Sequence, residues 1–338
     1  MKRAILLSAA TCAVLSLPTV ALSSILDEVS LANTPKEGST FTKTLVSELN
    51  MELVDMDLRV LLNGEEQDVG ANDIEIKITS SDSFTMSESI LGMDGDRITG
   101  VSRKYEELAS AQGQDFTGPD GESQSDDKEK ESLLEGKTIT FKWDAEDDSW
   151  GAAWGEDEDG DAELLEDLEA DSSLGWLLPG NPIEVGGSWE LGVDEFNRTM
   201  DPFGKLHWEE KDPEQELFNE AFEEGLDVSE FTATLKSVED GVATITFVVE
   251  AATSFEMTPE LGDEAPEGFE MSNSFEFGFE LEGTLTWNME AHHAIALSIE
   301  GDVIREDTME QSGSGEMEFE VTQIQSFEGT YSLELTIE

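Results

Sequence analysis

The stretch that decides the fold spans residues 275–289 and reads FEFGFELEGTLTWNM. Its apolar side chains occupy odd positions and its polar side chains occupy even positions, while two glycines interrupt the pattern. This period of two places the apolar side chains on one face of a β-strand. At about 3.4 Å per residue the run would extend roughly 50 Å. It therefore predicts a large antiparallel sheet with one face open to water.

The same alternation continues on both sides of this stretch. In residues 41–62 the alternating apolar residues are odd-numbered up to Leu53 and even-numbered from Val54. This change predicts a β-bulge or a turn at that point. In the carboxy-terminal third the alternation predicts three long strands, the first of which contains the opening stretch, and they would form a meander of hairpins. Their ranges are 269–289, 295–309 and 317–337.

Helices are few in this sequence. The best candidate is 212–225, where Gly225 suits the end of a helix and four residues form an apolar stripe: Leu217, Phe218, Ala221 and Phe222. Short helices are also predicted at 105–111 and 161–170, and the polar residues 112–131 predict a flexible loop. The fold class is therefore mainly β. We expect one large curved antiparallel sheet or half-open barrel of long strands with a few short helices.

Residues 1–23 have the pattern of a secretory signal peptide. Lys2 and Arg3 give a positive start, an apolar stretch follows, and small residues end it. We expect an exported protein, periplasmic or extracellular, with 24–338 as a single large antiparallel β domain. If that domain has an internal boundary, we expect it at the acidic residues 156–171. The mature chain would have no stable membrane span.

Charge and cysteine content limit the partners. The chain has 79 Asp and Glu against 18 Lys and Arg, for a net charge of −61. Such a field repels nucleic acid and anionic membranes. It is typical of a surface suited to salty water, and cation binding is the alternative. Cys12 is the single cysteine and lies within the signal, so we expect neither a disulfide nor a thiolate metal site.

One acidic run could bind calcium. Residues 144–171 contain fourteen acidic side chains and no basic one. When Gly160 is aligned with the invariant glycine of a helix-flanked calcium loop, five acids fall at ligand positions: Asp157, Asp159, Asp161, Glu163 and Glu166. The first ligand position holds Gly155 instead of the usual Asp, and no incoming helix is predicted. A solvated acidic loop is the alternative, and we expect no cofactor besides calcium.

No catalytic residue can be assigned from the sequence. His292 and His293 are adjacent, so in a strand they would point to opposite faces; we expect them at a hairpin end. No Gly-x-Ser-x-Gly elbow is present. An acid pair for glycoside hydrolysis stays open, since Trp150 and Trp154 flank the acidic run. The sequence therefore favours a non-enzymatic role.

The apolar face of the predicted sheet needs a cover. A second sheet, helices or a ligand could supply it, and the helix at 212–225 could act as a lid over an acyl chain. Alternatively, the sheet curls and buries its own face. A continuous apolar cavity of about 300 Å³ or more would favour a carrier, whereas a filled core would favour a structural role.

Two stretches resemble known sequences. Residues 182–189 read PIEVGGSW and resemble a Pro–Val–x–Val–Gly–Asp–Ser–Trp segment of secreted, acidic, β-rich proteins of aquatic bacteria, although Gly187 stands where an acid is usual. Residues 94–99 and 103–105, DGDRIT and RKY, are similar to an upstream segment of the same group. The resemblance implies an exported β-rich protein without an assigned activity. In fold alone, the predicted sheet is similar to the periplasmic half-barrel lipoprotein carriers.

These observations favour an exported, non-enzymatic binding or structural protein. The alternative is a carrier of lipid or another apolar ligand in a half-barrel interior, and an acid-pair hydrolase is third. Expected partners are an apolar small molecule or cations. The ligand-binding residues stay open at this point.

Overall fold

The computed structural model describes residues 28–67, 74–156, 158–208, 213–259, 268–314 and 318–338. The predicted signal at 1–23 and Asp157 lie outside the described residues. The described strands and α-helices are, in chain order, β1 (Thr40–Leu62), β2 (Glu65–Gln67), β3 (Glu75–Asp94), β4 (Arg97–Thr117), β5 (Ser123–Glu131), β6 (Thr138–Asp144), β7 (Ser149–Trp154), β8 (Ser188–Glu190), α1 (Val193–Met200), α2 (Pro213–Gly225), β9 (Leu226–Glu239), β10 (Val242–Met257), β11 (Phe269–Asn288), β12 (His293–Gly313) and β13 (Phe319–Ile337).

All of these strands belong to one antiparallel sheet, which confirms the predicted mainly β fold class. The strand order is β7-β6-β4-β3-β1-β13-β12-β11-β10-β9-β8, with β2 beside β1 and β5 beside β4. Strand β1 lies in the centre of the sheet, and β3, β4, β6 and β7 follow in order toward one edge. The chain then crosses to β8 at the opposite edge and builds back to the centre, where β13 pairs with β1. The sheet is open, because β7 and β8 do not pair with each other.

The meander predicted for the carboxy-terminal third is confirmed as β11, β12 and β13, which pair in sequence order. The parity change in β1 is confirmed as a bulge. Its register with β13 shifts between Leu53 and Asp55, and the side chain of Val54 is 53 % exposed. The extra residue turns the even-numbered apolar side chains of the second half to the face used by the odd-numbered ones of the first half.

The helix predicted at 105–111 and the loop predicted at 112–131 are both wrong. These residues form the second half of β4, a turn and strand β5. Tyr105 and Leu108 are both buried at a spacing of three, which looks helical in sequence. A register shift in the pairing with β3 produces that spacing within a strand, since Met86 lies opposite Tyr105 and Thr85 opposite Glu107. Strand β5 is polar because almost all of its side chains are exposed.

The two α-helices of the described residues are short, and both lie between β8 and β9 in sequence. Helix α2 matches the predicted helix, and Thr253 Oγ1 donates a hydrogen bond of 3.0 Å to the Phe222 carbonyl near its end. The acidic helix predicted at 161–170 is reduced to one 3₁₀ turn, Ala162–Leu165. The described residues contain no helix of the length and apolarity needed to cross a membrane.

We define the inner face as the sheet face that carries Trp287, and the crossing segment as residues 158–187. The crossing segment packs Leu174 and Leu177 into the main core. Beneath it, Trp287 is fully buried between Ala243 and Ala294 on the neighbouring strands. Other inner-face side chains of this region are also 0–3 % exposed: Leu45, Leu285, Leu297, Leu333 and Leu335. We call this region the filled end.

Candidate functional site

The inner face continues beyond the filled end, and there its main cover is helix α2. A cavity of about 720 Å³ lies between this helix, α1 and the strands. Its aromatic lining comes from two helices and one strand: Phe196 of α1, Phe218 and Phe222 of α2, and Phe275, Phe277 and Phe279 of β11. We call this cavity the aromatic groove and its part of the sheet the open end.

The alternation in β11 places the three strand phenylalanines on the inner face, as predicted. In α2, Phe218 and Phe222 are four residues apart and therefore share one helix face. The ring centroid of Phe218 lies 5.2 Å from that of Phe275, and the centroid of Phe222 lies 5.4 Å from that of Phe277, both edge to face. These distances fall in the range of favourable aromatic pairs. The groove is therefore formed by ring contacts between helix and sheet.

The rings of the open end are only half-buried, although they lie on the same face of β11 as Trp287. A second, smaller core lies next to them: Met51, Ile76, Val303 and Phe327. The open end therefore has a packed floor, and its aromatic surface faces the cavity.

One cation lies on the floor of the groove. Arg305 is directly opposite Phe277 on one side and Phe327 on the other. Its guanidinium carbon is 5.3 Å from the Phe277 ring centroid and 5.7 Å from those of Phe275 and Phe327. Asp307 accepts two hydrogen bonds of 2.7 Å from this guanidinium. The charge of Arg305 is thus neutralised within the protein.

Carboxylates lie on the walls of the groove. Asp201, just after α1, and Glu223 of α2 both line the cavity, and Asp126 of β5 does so from the opposite side. Asp201 is open to the water of the groove and is surrounded by protein on its other sides. Desolvation, then the charges of Asp82 and Glu223, raise the pKa of Asp201 to about 7.

Tyr331 contributes a hydroxyl to the same cavity. Desolvation, followed by the nearby charges of Asp82 and Asp201, raises the pKa of this phenol. The hydroxyl has no hydrogen-bond partner within the described part of the chain. The nearby Asp82 accepts a hydrogen bond of 3.2 Å from Ser47 Oγ. The groove therefore combines six phenylalanine rings and Tyr331 with twelve other polar or charged residues. Most of its lining surface is apolar, as is usual for a small-molecule site.

A buried ionic cluster fastens the crossing segment to the sheet. Glu88 accepts hydrogen bonds from Lys43 Nζ at 2.5 Å, Arg103 Nη2 at 2.8 Å and Ser172 Oγ at 2.7 Å. Arg103 Nη1 donates to the Glu169 carbonyl at 2.7 Å, and Lys43 Nζ donates to the Ser172 carbonyl at 2.8 Å. Burial alone would raise the pKa of Glu88, but the charges of Lys43 and Arg103 hold it at about 2.

Sequence reasoning missed this cluster, although a signal was present. Lys43, Glu88 and Arg103 each interrupt the apolar alternation at inner-face positions of β1, β3 and β4. A charge at such a position requires a partner, because an isolated buried charge is very costly. The partners Glu169 and Ser172 are far away in sequence and could not be identified from it.

The predicted calcium ligands are not tested by the structure as a set, since Asp157 lies outside the described residues. Asp159, Asp161, Glu163 and Glu166 are exposed. Asp161 caps the 3₁₀ turn by accepting a 3.2 Å hydrogen bond from the Glu163 backbone N–H. Among the described residues, no group of three or more His, Cys, Asp or Glu is arranged to hold a metal ion. The calcium site stays a prediction, and melting with and without calcium would test it.

The three histidines lie at two separate places in the fold. His292 has a φ of 56° in the turn before β12, and His293 begins that strand, so the predicted hairpin end is confirmed. The ring of His293 contacts Phe41, with centroids 4.7 Å apart. His207 Nε2 lies 3.2 Å from the Glu166 carbonyl oxygen. The structure gives none of the three a place in the lining of the groove.

Comparisons with known proteins give little support for any family. No family model and no curated protein matches this chain. Among solved structures, the chain is similar to an outer membrane channel from Pseudomonas putida F1 at 9 % identity, covering 92 % of this chain and 100 % of that chain, with a TM-score of 0.19. A TM-score this low carries no argument. The resemblance to secreted proteins of aquatic bacteria therefore stays a prediction.

Proposed function

We propose that this chain is an exported, non-enzymatic binding protein that carries an apolar or amphipathic small molecule in the aromatic groove. The observation that carries the proposal is the contrast within one strand. Trp287 is fully buried, whereas Phe275 and Phe277 of the same face line an open cavity of about 720 Å³. Ligand sites typically have volumes of roughly 300–1,000 Å³.

A purely structural role would favour a different arrangement. Half-buried phenylalanines retain apolar surface in contact with water, at a cost of roughly 25 cal/mol for each Å². A scaffold without a ligand would gain stability by filling this space, as the filled end does. A bound apolar molecule would remove the same surface from water and so offset the cost of leaving the groove unfilled by side chains.

The proposal is tested with a neutral fluorescent probe, N-phenyl-1-naphthylamine, and two variants of α2. Phe218 contacts Phe255, Phe275 and Phe277, whereas the neighbouring Leu217 is 56 % exposed. We expect Phe218→Ala to weaken probe binding by about tenfold, because it removes one ring from the lining.

Leu217→Ala is the matched control and should leave probe affinity within about twofold of the parent chain, since its side chain faces solvent. Circular dichroism checks that both variants are folded. Equal affinity in all three proteins would show that the probe binds elsewhere. Native mass spectrometry of protein purified from its host should also show an added mass that Phe218→Ala reduces.

Export is part of the proposal and has its own test. Residues 1–23 should be missing from the protein recovered outside the cytoplasm, as predicted for a cleaved signal. Mass spectrometry of the amino-terminal peptide gives the first residue of the mature chain. Recovery of a peptide that includes Lys2 and Arg3 would contradict it.

The hydrolase alternative has one observation in its favour. Asp201 and Glu223 line the same groove, and a pair of acids is typical of glycosidases. Most of the lining surface of the groove is apolar, which favours an apolar body over a sugar with its many hydroxyl groups, so we expect no turnover. Incubation with nitrophenyl glycosides should release no nitrophenol above that of Asp201→Asn, whereas release that this variant abolishes would favour the hydrolase.

A further inference from the structure

We propose that the aromatic groove selects ligands with a cationic head group, such as an alkylammonium, attached to an apolar body. This inference rests on the proposed function and adds the chemical class of the ligand. It follows from three properties of the described residues: the charges that line the groove, the orientation of its rings and the neighbours of Asp201.

The first property is the charge balance of the lining. Asp126, Asp201 and Glu223 are acidic, while Lys128 and Arg305 are basic. Both hydrogen bonds between Arg305 and Asp307 are 2.7 Å long, so this arginine forms a neutral pair and offers little to an anion. The remaining lining has three carboxyl groups against one ammonium group, and the excess of negative charge is largest once Asp201 is ionised. The net charge of −61 adds a field that attracts cations and repels anions.

The second property is that the rings already bind a cation. The guanidinium of Arg305 lies within 5.3–5.7 Å of three phenylalanine ring centroids, which is the geometry of cation–π attraction. Phe218 and Phe222 contact the ring of Phe277 and so continue the same aromatic surface, and Glu223 follows Phe222 directly in α2. Aromatic surfaces beside carboxylates are the usual way in which proteins recognise ammonium groups.

The third property is the environment of Asp201. Asp82 of β3, Glu223 of α2 and Glu169 of the crossing segment all act on its carboxylate with like charge. Arg198 lies 3.3 Å from Glu169 and partly compensates that acid, and Tyr331 faces the same space. A cation bound here would relieve the mutual repulsion of Asp201, Asp82 and Glu223.

The test uses three ligands with ten-carbon chains and different head groups: decyltrimethylammonium, decanol and decanoate, whose tenth carbon is that of the carboxylate. Each displaces N-phenyl-1-naphthylamine from the full chain below its micelle concentration, in 20 mM and 300 mM NaCl. We expect the ammonium to bind at least about tenfold more tightly than decanol at low salt, and decanoate to bind most weakly. The preference should shrink in 300 mM NaCl, because salt screens the exposed charges.

Two neighbouring glutamates on α2 provide a matched pair of variants. Both side chains are exposed, but Glu223 lines the groove and the adjacent Glu224 does not. Glu223→Gln and Asp201→Asn should each reduce the preference for the ammonium by about threefold or more, while Glu224→Gln should keep it, although both glutamate variants change the net charge equally.

A pH series distinguishes recognition of the ligand's charge from recognition of its shape alone, because only the former depends on the ionisation of Asp201. Asp201 faces Asp82, Glu169, Glu223 and Tyr331, and it loses its proton near neutral pH. The affinity for decyltrimethylammonium should therefore rise between pH 6 and pH 8, whereas the affinity for decanol should stay constant. In Asp201→Asn the rise should be largely lost.

The outcomes separate this inference from the proposed function. Equal affinity for all three ligands, or a preference for decanoate, overturns the inference and leaves the proposed function intact. Displacement by none of them, together with no binding of the probe, overturns the proposed function itself. Ammonium binding that survives Phe218→Ala unchanged would mean adsorption to the acidic surface, and it would also overturn the inference.

Discussion

The filled end and the open end of the inner face are built from the same strands and differ in what covers them. At the filled end, the crossing segment packs leucines onto the sheet, and Trp287 has no exposed surface. At the open end, one helix meets the sheet through ring contacts and leaves a cavity of about 720 Å³. The apolar face of the strands extends further than the crossing segment, and we place function at the part that helix α2 covers only partly.

The largest expected effect comes from the cluster that holds the cover on the filled end. In Glu88→Gln, the buried charges of Lys43 and Arg103 lose their carboxylate. Breaking a buried ion pair in this way costs about 3–5 kcal/mol. We expect the free energy of unfolding, measured in urea by circular dichroism, to fall by that amount.

Glu75→Gln on the same strand is the control, because Glu75 is exposed and should change the free energy of unfolding by less than about 0.5 kcal/mol. The pH dependence gives a second check. The folded pKa of Glu88 is about 2, below the ordinary 4.5. Its contribution is therefore complete above pH 4.5 and is lost as the pH falls toward 2. The difference between parent and Glu88→Gln should shrink over that range, and a constant difference would contradict the cluster.

A pair of aromatic truncations compares the two ends directly. Trp287→Ala removes a fully buried side chain and should lower the free energy of unfolding by about 3–5 kcal/mol. Phe277→Ala removes a half-buried ring of the groove and should cost only about 1–2 kcal/mol. Probe binding should respond in the opposite order, with Phe277→Ala weakening it more than Trp287→Ala.

Equal losses of stability for the two truncations would show that the open end is packed as tightly as the filled end. Loss of probe binding in Trp287→Ala, at a temperature where that variant is folded, would place the binding site elsewhere. Urea denaturation and probe titration on the same samples supply both quantities.

The smallest expected effect lies on the outer face, behind both ends. Glu280 is directly opposite Glu250 on β10 and Asp302 on β12, and like charges in that position are destabilising. Glu280→Gln should raise the free energy of unfolding by about 0.5 kcal/mol at low salt. In 1 M NaCl, where the Debye length is about 3 Å, the gain should disappear.

Glu270→Gln is the control, since Glu270 lies opposite Ser312 on β12. It should have a smaller effect at low salt, because no carboxylate is directly opposite. Neither substitution should change probe affinity, because both side chains point away from the groove. A change in affinity would mean that the two faces are coupled.

Several features of the fold could be predicted because they depend on local pattern. Alternation predicted the long strands of the carboxy-terminal third, and a change of parity predicted the bulge after Leu53. Where a bulge changed the spacing, as between Tyr105 and Leu108, the same reasoning predicted a helix and was wrong. Period alone does not distinguish a bulged strand from a helix over such a short stretch.

Side-chain period and composition are local properties, so they were enough to predict a large antiparallel sheet with one apolar face and a strong negative charge. The folded chain was needed to establish that β1 pairs with β13, that Lys43, Glu88 and Arg103 meet, and that helix α2 covers Phe275 only partly. The reason is physical: these contacts join residues far apart in the chain, and their free energy depends on which segments compete for the same apolar surface.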